Sequence, residues 1–405
     1  MKKAWRGNLI TQIMVAFAIA IIVGIIAGTS AETVKPLGDL FLRLIKFIIV
    51  PLVLASLVTG VSSTGDVRKL GRMGGKTIAY YLVTTALAVI LGLIIASLMS
   101  PGAGLELKPE EAKVEAKETP GIIDTLLAII PTNPFAALVQ GDMLPIIFFA
   151  IFLGIGISLA GEKARTVQLF FEQFAEVMYK ITGIVMRFAP IGVFGLVAPI
   201  VGKYGLSVLL PLSKVILGVA IGCLLHAAIV YSLSVKLFAG MKPLQFFKGI
   251  APAGMIAFST SSSSGTLPIT IQNVESNLGV SKRVSSFVLP LGATINMDGT
   301  ALYQGVCALF VAQFYGIDLS FAQLLTIVLT ATLASIGTAG VPGAGLIMLT
   351  MVLTSVGLPL EGMALIAGVD RILDMFRTSV NVIGDASAAV VVASSEGELE
   401  QSVHV

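Results

Sequence analysis

The sequence predicts an all-α integral membrane protein, and three observations carry this prediction. Only 12% of the 405 residues are charged, whereas a soluble domain carries about 25%. The mean hydropathy is +0.96, and apolar runs of the length that a helix needs to cross a bilayer recur along the chain. The alternation of apolar and polar residues that is typical of half-buried strands is absent. Because the charged fraction is about half that of a soluble domain, the chain has too few charges to cover a soluble surface.

The first half of the chain contains the most regular apolar runs. Trp5 stands among Lys2, Lys3 and Arg6, which is typical of an interfacial anchor before a first span. Because basic residues favour the cytoplasmic side, we expect the N-terminus and the basic loop at Arg68–Lys76 to be cytoplasmic. The predicted spans are Leu9–Gly28, Leu40–Thr59, Thr77–Met99, a longer proline-broken block at Ile122–Leu159, Phe170–Val201 and Ser207–Leu237.

Two segments of the second half have a polar centre between apolar arms. Pro243–Leu278 is centred on the serine-rich run Ser259–Ser264, and it begins and ends beside lysines, so it does not cross. Phe321–Leu358 is centred on SIGTAGVPGAG. Non-helical backbone is tolerated at membrane depth only where protein or a water-filled cavity surrounds it. We therefore predict two re-entrant hairpins, alternating with helices at Phe287–Phe314 and Met363–Val392, as inverted repeats around a midplane transport site.

Close helix packing is the alternative explanation for the small residues of the two hairpin tips. Small residues let transmembrane helices approach closely. Such packing does not require four consecutive serines followed by Gly265 and Pro268, so a binding site is favoured.

The last predicted helix carries an ionisable face within DRILDMFRTSVNVIGD (Asp370–Asp385). Its polar residues recur at spacings of three and four, which places them on one side of a helix. Charges at membrane depth are costly, so such a row is a functional-site hypothesis, with structural ion pairs as the alternative. Arg371 falls at the edge of this face and has no assigned role. The polar residues are Asp370, Asp374, Arg377, Thr378, Asn381 and Asp385.

The residue types on this helix point to a ligand of definite chemistry. The guanidinium of Arg377 can bind a carboxylate with two hydrogen bonds, and Asp374, about one turn earlier, is an acceptor suited to an ammonium group. Together they complement an amino acid with an acidic side chain. Asn381 and Asp385 are hard oxygen ligands that suit a small cation such as sodium, and NMDGT (Asn296–Thr300) adds further oxygens.

Other functions fit these residues less well. A C4-dicarboxylate carrier would leave Asp374 without an ammonium partner, and a neutral amino-acid carrier would leave Arg377 without a carboxylate. A channel needs a continuous pore with ring-like selectivity elements, whereas the two hairpins indicate an enclosed site with two gates. No Ser/His/Asp or metal-ligand constellation is visible in the sequence, so an enzyme is disfavoured.

Four motifs, SSSSGTLP, NMDGT, GTAGVPGAG and DMFRTSVNVIGD, occur in this order. They resemble the glutamate/aspartate transporter family, the dicarboxylate/amino acid:cation symporters, and most closely its archaeal and bacterial sodium-coupled aspartate transporters. The resemblance covers nearly the whole chain and includes YYLVTT (Tyr80–Thr85). It implies L-aspartate or L-glutamate as substrate, sodium as the co-transported ion, and these substrate-binding residues: Ser262, Ser263, Thr300, Val341, Gly345, Asp374, Arg377, Thr378 and Asn381.

The resemblance also implies three sodium sites. The first would use Gly292, Asn296, Asn381 and Asp385. The second would use Thr294, Ser335, Ile336 and Thr338, largely through carbonyl groups. The third would use Tyr81, Thr84, Thr85, Asn296 and Asp298, with Met297 between the sites.

The family fold implies eight transmembrane helices and two re-entrant hairpins in a homotrimer of the cell membrane, with both termini cytoplasmic. A transport domain would move like an elevator against a scaffold, with the second hairpin as its lid. Many relatives carry an additional arginine at one of two positions, which here are Ser261 and Met375. By resemblance, residues 1–76 and 122–206 form the scaffold, 77–121 hold the third helix and an outer loop, and 207–405 complete the transport domain.

Overall fold

A computed structural model describes residues 9–62, 67–103, 127, 129–205, 209–336 and 344–400. Over these residues the chain is helical, with one isolated β-bridge, Val280–Leu399. The helices are α1 Leu9–Ala27, α2 Lys35–Ser62, α3 Val67–Met99, α4 Pro134–Gln140, α5 Met143–Ala160, α6 Arg165–Met186, α7 Ala189–Tyr204, α8 Leu209–His226, α9 Ser232–Ala239, α10 Pro243–Thr260, α11 Ser263–Ser276, α12 Lys282–Ile295, α13 Asp298–Phe314, α14 Phe321–Ala334, α15 Ala344–Ser355 and α16 Met363–Glu396.

Within the described part of the chain, four helical segments are long and apolar enough to cross a membrane by length and composition, namely Thr11–Phe41, Arg72–Met99, Pro145–Val185 and Leu210–Ala239. Other predicted spans are interrupted. The predicted span Phe170–Val201 is divided between α6 and α7, because the chain turns at residues 187–188 and Pro190 occupies the first turn of α7. Residues 104–126, which include most of the predicted outer loop, lie outside the described residues.

The two predicted hairpins are pairs of short helices in the structure. Helices α10 and α11 pack against each other and are joined by two residues only. Ser261 is in the left-handed region at φ +50°, and the Ser262 hydroxyl accepts a hydrogen bond from Gly265 N at 3.0 Å, which caps α11. Helices α14 and α15 also pack against each other, but their connection at residues 337–343 lies outside the described residues.

Helix α12 stops at Ile295, and α13 begins at Asp298. Asn296 has extended backbone angles, so two residues interrupt what the apolar pattern predicts as one span. A break of this kind frees backbone carbonyls and amides inside the protein. It lies beside α16, since α12 and α13 both pack on that helix.

The helices form two groups by their packing. Helices α1, α2, α5, α6 and α7 pack mainly on one another, and α3 and α8–α16 pack mainly on one another. Helix α16 is central to the second group, with α10, α11, α12, α13, α8 and α9 around it. Its polar face is therefore enclosed by protein on most sides.

The end of α16 is tied to neighbouring elements by partly exposed ion pairs. Glu396 contacts Arg72 at 2.8 Å and Lys76 at 2.6 Å. Glu398 contacts Arg283 at 3.0 Å and accepts a hydrogen bond from the Ser281 hydroxyl at 2.5 Å. These contacts fix the last described residues against α3 and the start of α12.

Candidate functional site

Arg377 is the centre of a buried charge cluster on α16. Its side chain is 0% exposed, and its Nη1 lies 2.8 Å from Asp370 Oδ1 while its Nη2 lies 2.8 Å from Asp374 Oδ1. The guanidinium carbon is 4.1 Å from the centroid of the Tyr303 ring, a cation–π contact. Two carboxylates and one aromatic face therefore hold the guanidinium in a single position.

Asp374 lies between two arginines. One of its oxygens contacts Arg377, and Thr378 Oγ1 donates to the same oxygen at 3.4 Å. The other oxygen lies 3.8 Å from Arg371 Nη1. Arg371 Nη2 also donates to the carbonyl of Thr260, the last residue of α10, at 3.4 Å. The first hairpin therefore reaches the charge cluster through Arg371.

Two glycines allow backbone to approach Arg377 closely. A Cβ at Gly345 would lie 2.5 Å from Arg377 Nη1, so the start of α15 covers the guanidinium. A Cβ at Gly299 would collide with the backbone of Arg377. A side chain at either position would push the arginine away from its carboxylates. These contacts place the start of α15 and the break between α12 and α13 against the cluster.

Asn381 joins the charge cluster to the helix break. Its Oδ1 accepts from Gly299 N at 2.8 Å, and its Nδ2 is 3.3 Å from Thr300 Oγ1 and 3.3 Å from Met297 Sδ. All four residues are among the predicted site residues or adjoin them. The structure therefore brings together the predicted residues of α16 and of NMDGT.

A second cluster surrounds Asp298, which is 0% exposed. Thr85 Oγ1 donates to one carboxylate oxygen at 2.6 Å. Tyr231 OH donates to the other oxygen at 2.7 Å, and His226 Nε2 lies 3.3 Å from that oxygen. Tyr81 and Thr84 are also buried on the same helix as Thr85. The carboxylate thus has several donors but no lysine or arginine at ion-pair distance among the described residues.

A third cluster surrounds Asp385, which is 2% exposed. Asn296 Nδ2 donates to Asp385 Oδ1 at 2.9 Å and to the Asn381 carbonyl at 3.2 Å. A Cβ at Gly292 would lie 2.5 Å from Asp385 Oδ1 and 2.5 Å from Tyr81 OH. Within the described residues, Asp385 has no ion-pair partner. Burial of such a carboxylate is costly unless a cation or proton compensates it.

The remaining predicted residues occupy three places. Ser263 is buried at the first residue of α11. Thr294 donates to the Leu291 carbonyl and Ser335 to the Thr332 carbonyl, so their hydroxyls are used within their own helices, and Ile336 is buried beside Ser335. Thr338 and Val341 lie outside the described residues.

The chemistry of these clusters favours small hard cations and zwitterions. Among the described residues, no three His, Cys, Asp or Glu side chains converge as they do around zinc or other transition metals. The oxygen atoms around Asp298 and Asp385 come instead from carboxylates, amides and hydroxyls, which suit hard ions such as sodium. Both clusters lie within the same helix group as Arg377.

The match to a protein family covers almost the whole chain. Residues 9–395 match the sodium:dicarboxylate symporter family. The chain belongs to this family. Its members are symporters, so the protein is a multi-pass membrane transporter and not an enzyme. The resemblance of the four sequence motifs is thereby confirmed.

Individual relatives match almost the whole chain. The proton/sodium-glutamate symport protein of Geobacillus stearothermophilus is 41% identical over 96% of this chain and 95% of its own length. The proton/glutamate-aspartate symporter of Escherichia coli (strain K12) is 40% identical over 98% of this chain and 94% of its own length. The C4-dicarboxylate transport protein of Bacillus subtilis (strain 168) is 38% identical over 98% of this chain and 95% of its own length.

Sequence reasoning missed three residues of this symporter's polar core. Tyr303 supports Arg377, while His226 and Tyr231 contact Asp298. His226 and Tyr231 are five residues apart, so on a regular α-helix their side chains would point in directions that differ by about 140°. A π-helical turn at Ala227–Tyr231 changes this spacing and lets both rings reach one carboxylate. The sequence shows no signal for that turn.

Proposed function

We propose that this member of the family is a sodium-coupled symporter that imports L-aspartate, L-glutamate or both. The observation that carries this proposal is the buried pair of Arg377 and Asp374, whose charged groups are 2.8 Å apart. A zwitterion with an acidic side chain can bind in place of the contact between these two residues. Its side-chain carboxylate would bind the guanidinium of Arg377 and its ammonium group would bind the carboxylate of Asp374, so no buried charge would be left unpaired.

Sodium coupling is supported by two buried carboxylates that have no lysine or arginine partner among the described residues. Asp298 and Asp385 are both buried and neither has a lysine or arginine at ion-pair distance among the described residues. A bound sodium ion at each would offset the cost of burial. Gly299 and Asn296 link these carboxylates to Asn381 and so to the substrate cluster. Ion binding would therefore order the residues that hold the substrate.

The mechanism we propose is alternating access of the elevator type. The helix group α1, α2, α5, α6 and α7 would be a scaffold that forms a homotrimer, and the group with α3 and α8–α16 would be the transport domain. The sparse packing between the two groups supports this division. The hairpin α14–α15 would be the lid, since Gly345 lies directly over Arg377. Both termini would face the cytoplasm, in the plasma or inner membrane.

A C4-dicarboxylate symporter is the second candidate. Arg371 lies 3.8 Å from Asp374, so a substrate without an ammonium group would not leave that carboxylate wholly unpaired. A relative with 38% identity is also named as a C4-dicarboxylate transport protein. The pair of Arg377 and Asp374 still favours a substrate with both charges, because a dicarboxylate would compete with Asp374 for the guanidinium.

Uptake into liposomes tests these proposals directly. The purified protein is reconstituted, and uptake of labelled L-aspartate is driven by an inward sodium gradient or by an inward proton gradient of equal force. Unlabelled L-glutamate, succinate and L-serine are the competitors. We expect sodium-driven uptake that L-glutamate blocks and that succinate and L-serine do not affect.

Two results would contradict the proposal in different ways. Uptake driven only by protons would mean that Asp385 and Asp298 bind protons in place of sodium. Competition by succinate that is stronger than competition by L-glutamate would support the C4-dicarboxylate candidate. Empty liposomes and liposomes with equal sodium on both sides provide the background.

A further inference from the structure

We infer that Arg371 is a second substrate-binding cation, which receives the α-carboxylate of the acidic amino acid while Arg377 receives the side-chain carboxylate. This inference rests on the proposed function and extends it to a residue outside the sites that the sequence motifs predict. It assigns a role to the one basic residue beside the polar face of α16 that sequence reasoning leaves without one.

Two contacts hold the Arg371 side chain at the edge of the charge cluster. Its Nη1 lies 3.8 Å from Asp374 Oδ2, and its Nη2 donates to the Thr260 carbonyl at 3.4 Å. Nη1 is buried and has no hydrogen-bond acceptor among the described residues. A buried guanidinium nitrogen without an acceptor is costly. Arg371 therefore has an unused donor beside the carboxylate proposed to bind the ammonium group.

The two arginines lie at different depths. The side chain of Arg371 is 15% exposed, whereas that of Arg377 is 0% exposed. Asp374 is shared between them, with Oδ1 toward Arg377 and Oδ2 toward Arg371. A ligand bound at Asp374 therefore has one cation on its buried side and one on its exposed side.

The covalent structure of an acidic amino acid fits this order. Its ammonium group and α-carboxylate share one carbon, while the second carboxylate lies farther along the side chain. With the ammonium at Asp374, the side chain can extend inward to Arg377. The α-carboxylate then stays near the exposed edge, within reach of Arg371. One ligand thus satisfies both guanidinium groups and the carboxylate between them.

The tip of the first hairpin adds to the attraction for an anion at this edge. Thr260, which binds Arg371, ends α10, and α11 begins three residues later at Ser263. The first turn of α11 presents backbone N–H groups and the positive end of the helix dipole. The hydroxyl of Ser261 between the helices is buried and has no hydrogen-bond partner among the described residues. These donors and Arg371 would surround the same carboxylate.

The test compares ligands with and without the α-carboxylate in wild type, Arg371→Gln and Arg371→Lys. L-aspartate is compared with L-isoasparagine, whose α-carboxylate is an amide but whose ammonium and side-chain carboxylate are intact. For L-aspartate, we expect Arg371→Gln to raise KM at least roughly tenfold, since a hydrogen bond to a charged group is involved. For L-isoasparagine, we expect the inhibition constant to change less than about twofold.

The Arg371→Lys variant is expected to recover part of the lost affinity, because it keeps the charge but not the planar donor pair. Arg283→Gln is the matched control, since that arginine pairs with Glu398 at the far end of α16 and is exposed. It should leave KM for L-aspartate unchanged. Equal shifts for both ligands in Arg371→Gln would overturn the inference, because they would mean that Arg371 acts only through Asp374.

Failure of this inference is distinguishable from failure of the proposed function. Wild-type protein is assayed first in the same liposomes. Absence of sodium-driven L-aspartate uptake would overturn the proposed function and this inference together. Normal wild-type uptake with an unchanged KM in Arg371→Gln would overturn this inference alone.

Discussion

Helix α16 carries acidic and basic partners at two places, and the two places differ in burial. In its middle, Arg377 is fully buried between Asp370 and Asp374. At its end, Glu396 contacts Arg72 and Lys76, and the Arg72 side chain is 73% exposed. The distances are similar, from 2.6 to 2.8 Å. The same chemistry is therefore placed in two very different surroundings.

Burial decides what each group of charges contributes. An exposed pair is screened by water and is worth little. A buried pair attracts strongly, but removing two charges from water costs as much or more, so it is weak evidence for stability. Holding charges in the buried middle of α16 therefore has a desolvation cost that packing alone does not explain. The charges at the end of the helix remain in contact with water and do not carry this cost. The proposed exchange of these pairs with a substrate would explain the difference.

The largest expected effect comes from Arg377. We expect Arg377→Gln to reduce L-aspartate uptake in liposomes to background, because the substrate carboxylate loses its partner. Removing one member of a buried ion pair also destabilises a protein by about 3–5 kcal/mol, so folding is checked by size-exclusion chromatography.

A second variant separates binding from folding. Arg377→Gln combined with Asp370→Asn and Asp374→Asn removes the charges together, and we expect it to recover folding but not uptake. Arg283→Gln is the exposed control and should keep full uptake. Uptake by Arg377→Gln above about a tenth of wild type would break the contrast between the two ends of α16.

Asp385 gives the second largest expected effect. Asp385→Asn keeps an oxygen that can accept from Asn296 Nδ2 but removes the charge. We expect the sodium concentration for half-maximal uptake to rise roughly 10- to 100-fold, since one charge-assisted contact to the ion is lost. The KM for L-aspartate at saturating sodium should change far less. The matched control is Asp318→Asn, the same change at an exposed residue, and an equal response of both variants would refute a sodium role for Asp385.

Much of the fold was predictable because hydrophobicity is a strong signal in a membrane protein. The predicted first and third spans end within a residue of α1 and α3. The start of α3 differs from the prediction: Arg68 and its basic neighbours are predicted to form a loop, but they lie in the first turns of the helix. Basic residues are compatible with a helix end outside the membrane, so charge marks topology better than it marks helix boundaries.

Some residues of the candidate site can be recognised from the sequence, and others can be recognised only from the packing of the helices. Arg377, Asp374 and Asp385 stand out because charges are rare in apolar helices. Tyr303 and His226 do not stand out, since a buried aromatic ring is ordinary in a helix core. Their partners come from other helices, and single-sequence patterns do not show which helices meet. The contact of Gly345 with Arg377 is of the same kind.

A substitution at Gly345 is expected to have a smaller effect, and it tests how tightly the buried ion pairs of α16 are held. A Cβ there would lie 2.5 Å from Arg377 Nη1, and the guanidinium is held by Asp370, Asp374 and Tyr303, so it cannot move away without losing those contacts. We expect Gly345→Ala to raise KM for L-aspartate about tenfold, equal to about 1.4 kcal/mol. Gly156→Ala is the matched control because no atom lies within 4 Å of its added Cβ. An unchanged KM in Gly345→Ala would mean that the start of α15 does not press on the arginine.

The smallest expected effect comes from Glu396 at the other end of the helix. Hydrogen bonds from Arg72 and then Lys76 lower the pKa of Glu396 to about 2, against its ordinary value of 4.5. The ionised form is therefore favoured in the folded protein, and its stabilising contribution is present above pH 4.5 and is lost as the pH falls towards 2. We expect Glu396→Gln to lower the thermal unfolding midpoint slightly at pH 7, and to change uptake less than about twofold. The difference in midpoint between wild type and variant should shrink from pH 5 to pH 3 and with added salt. A large loss of uptake in Glu396→Gln at pH 7 would show instead that these partly exposed ion pairs take part in transport.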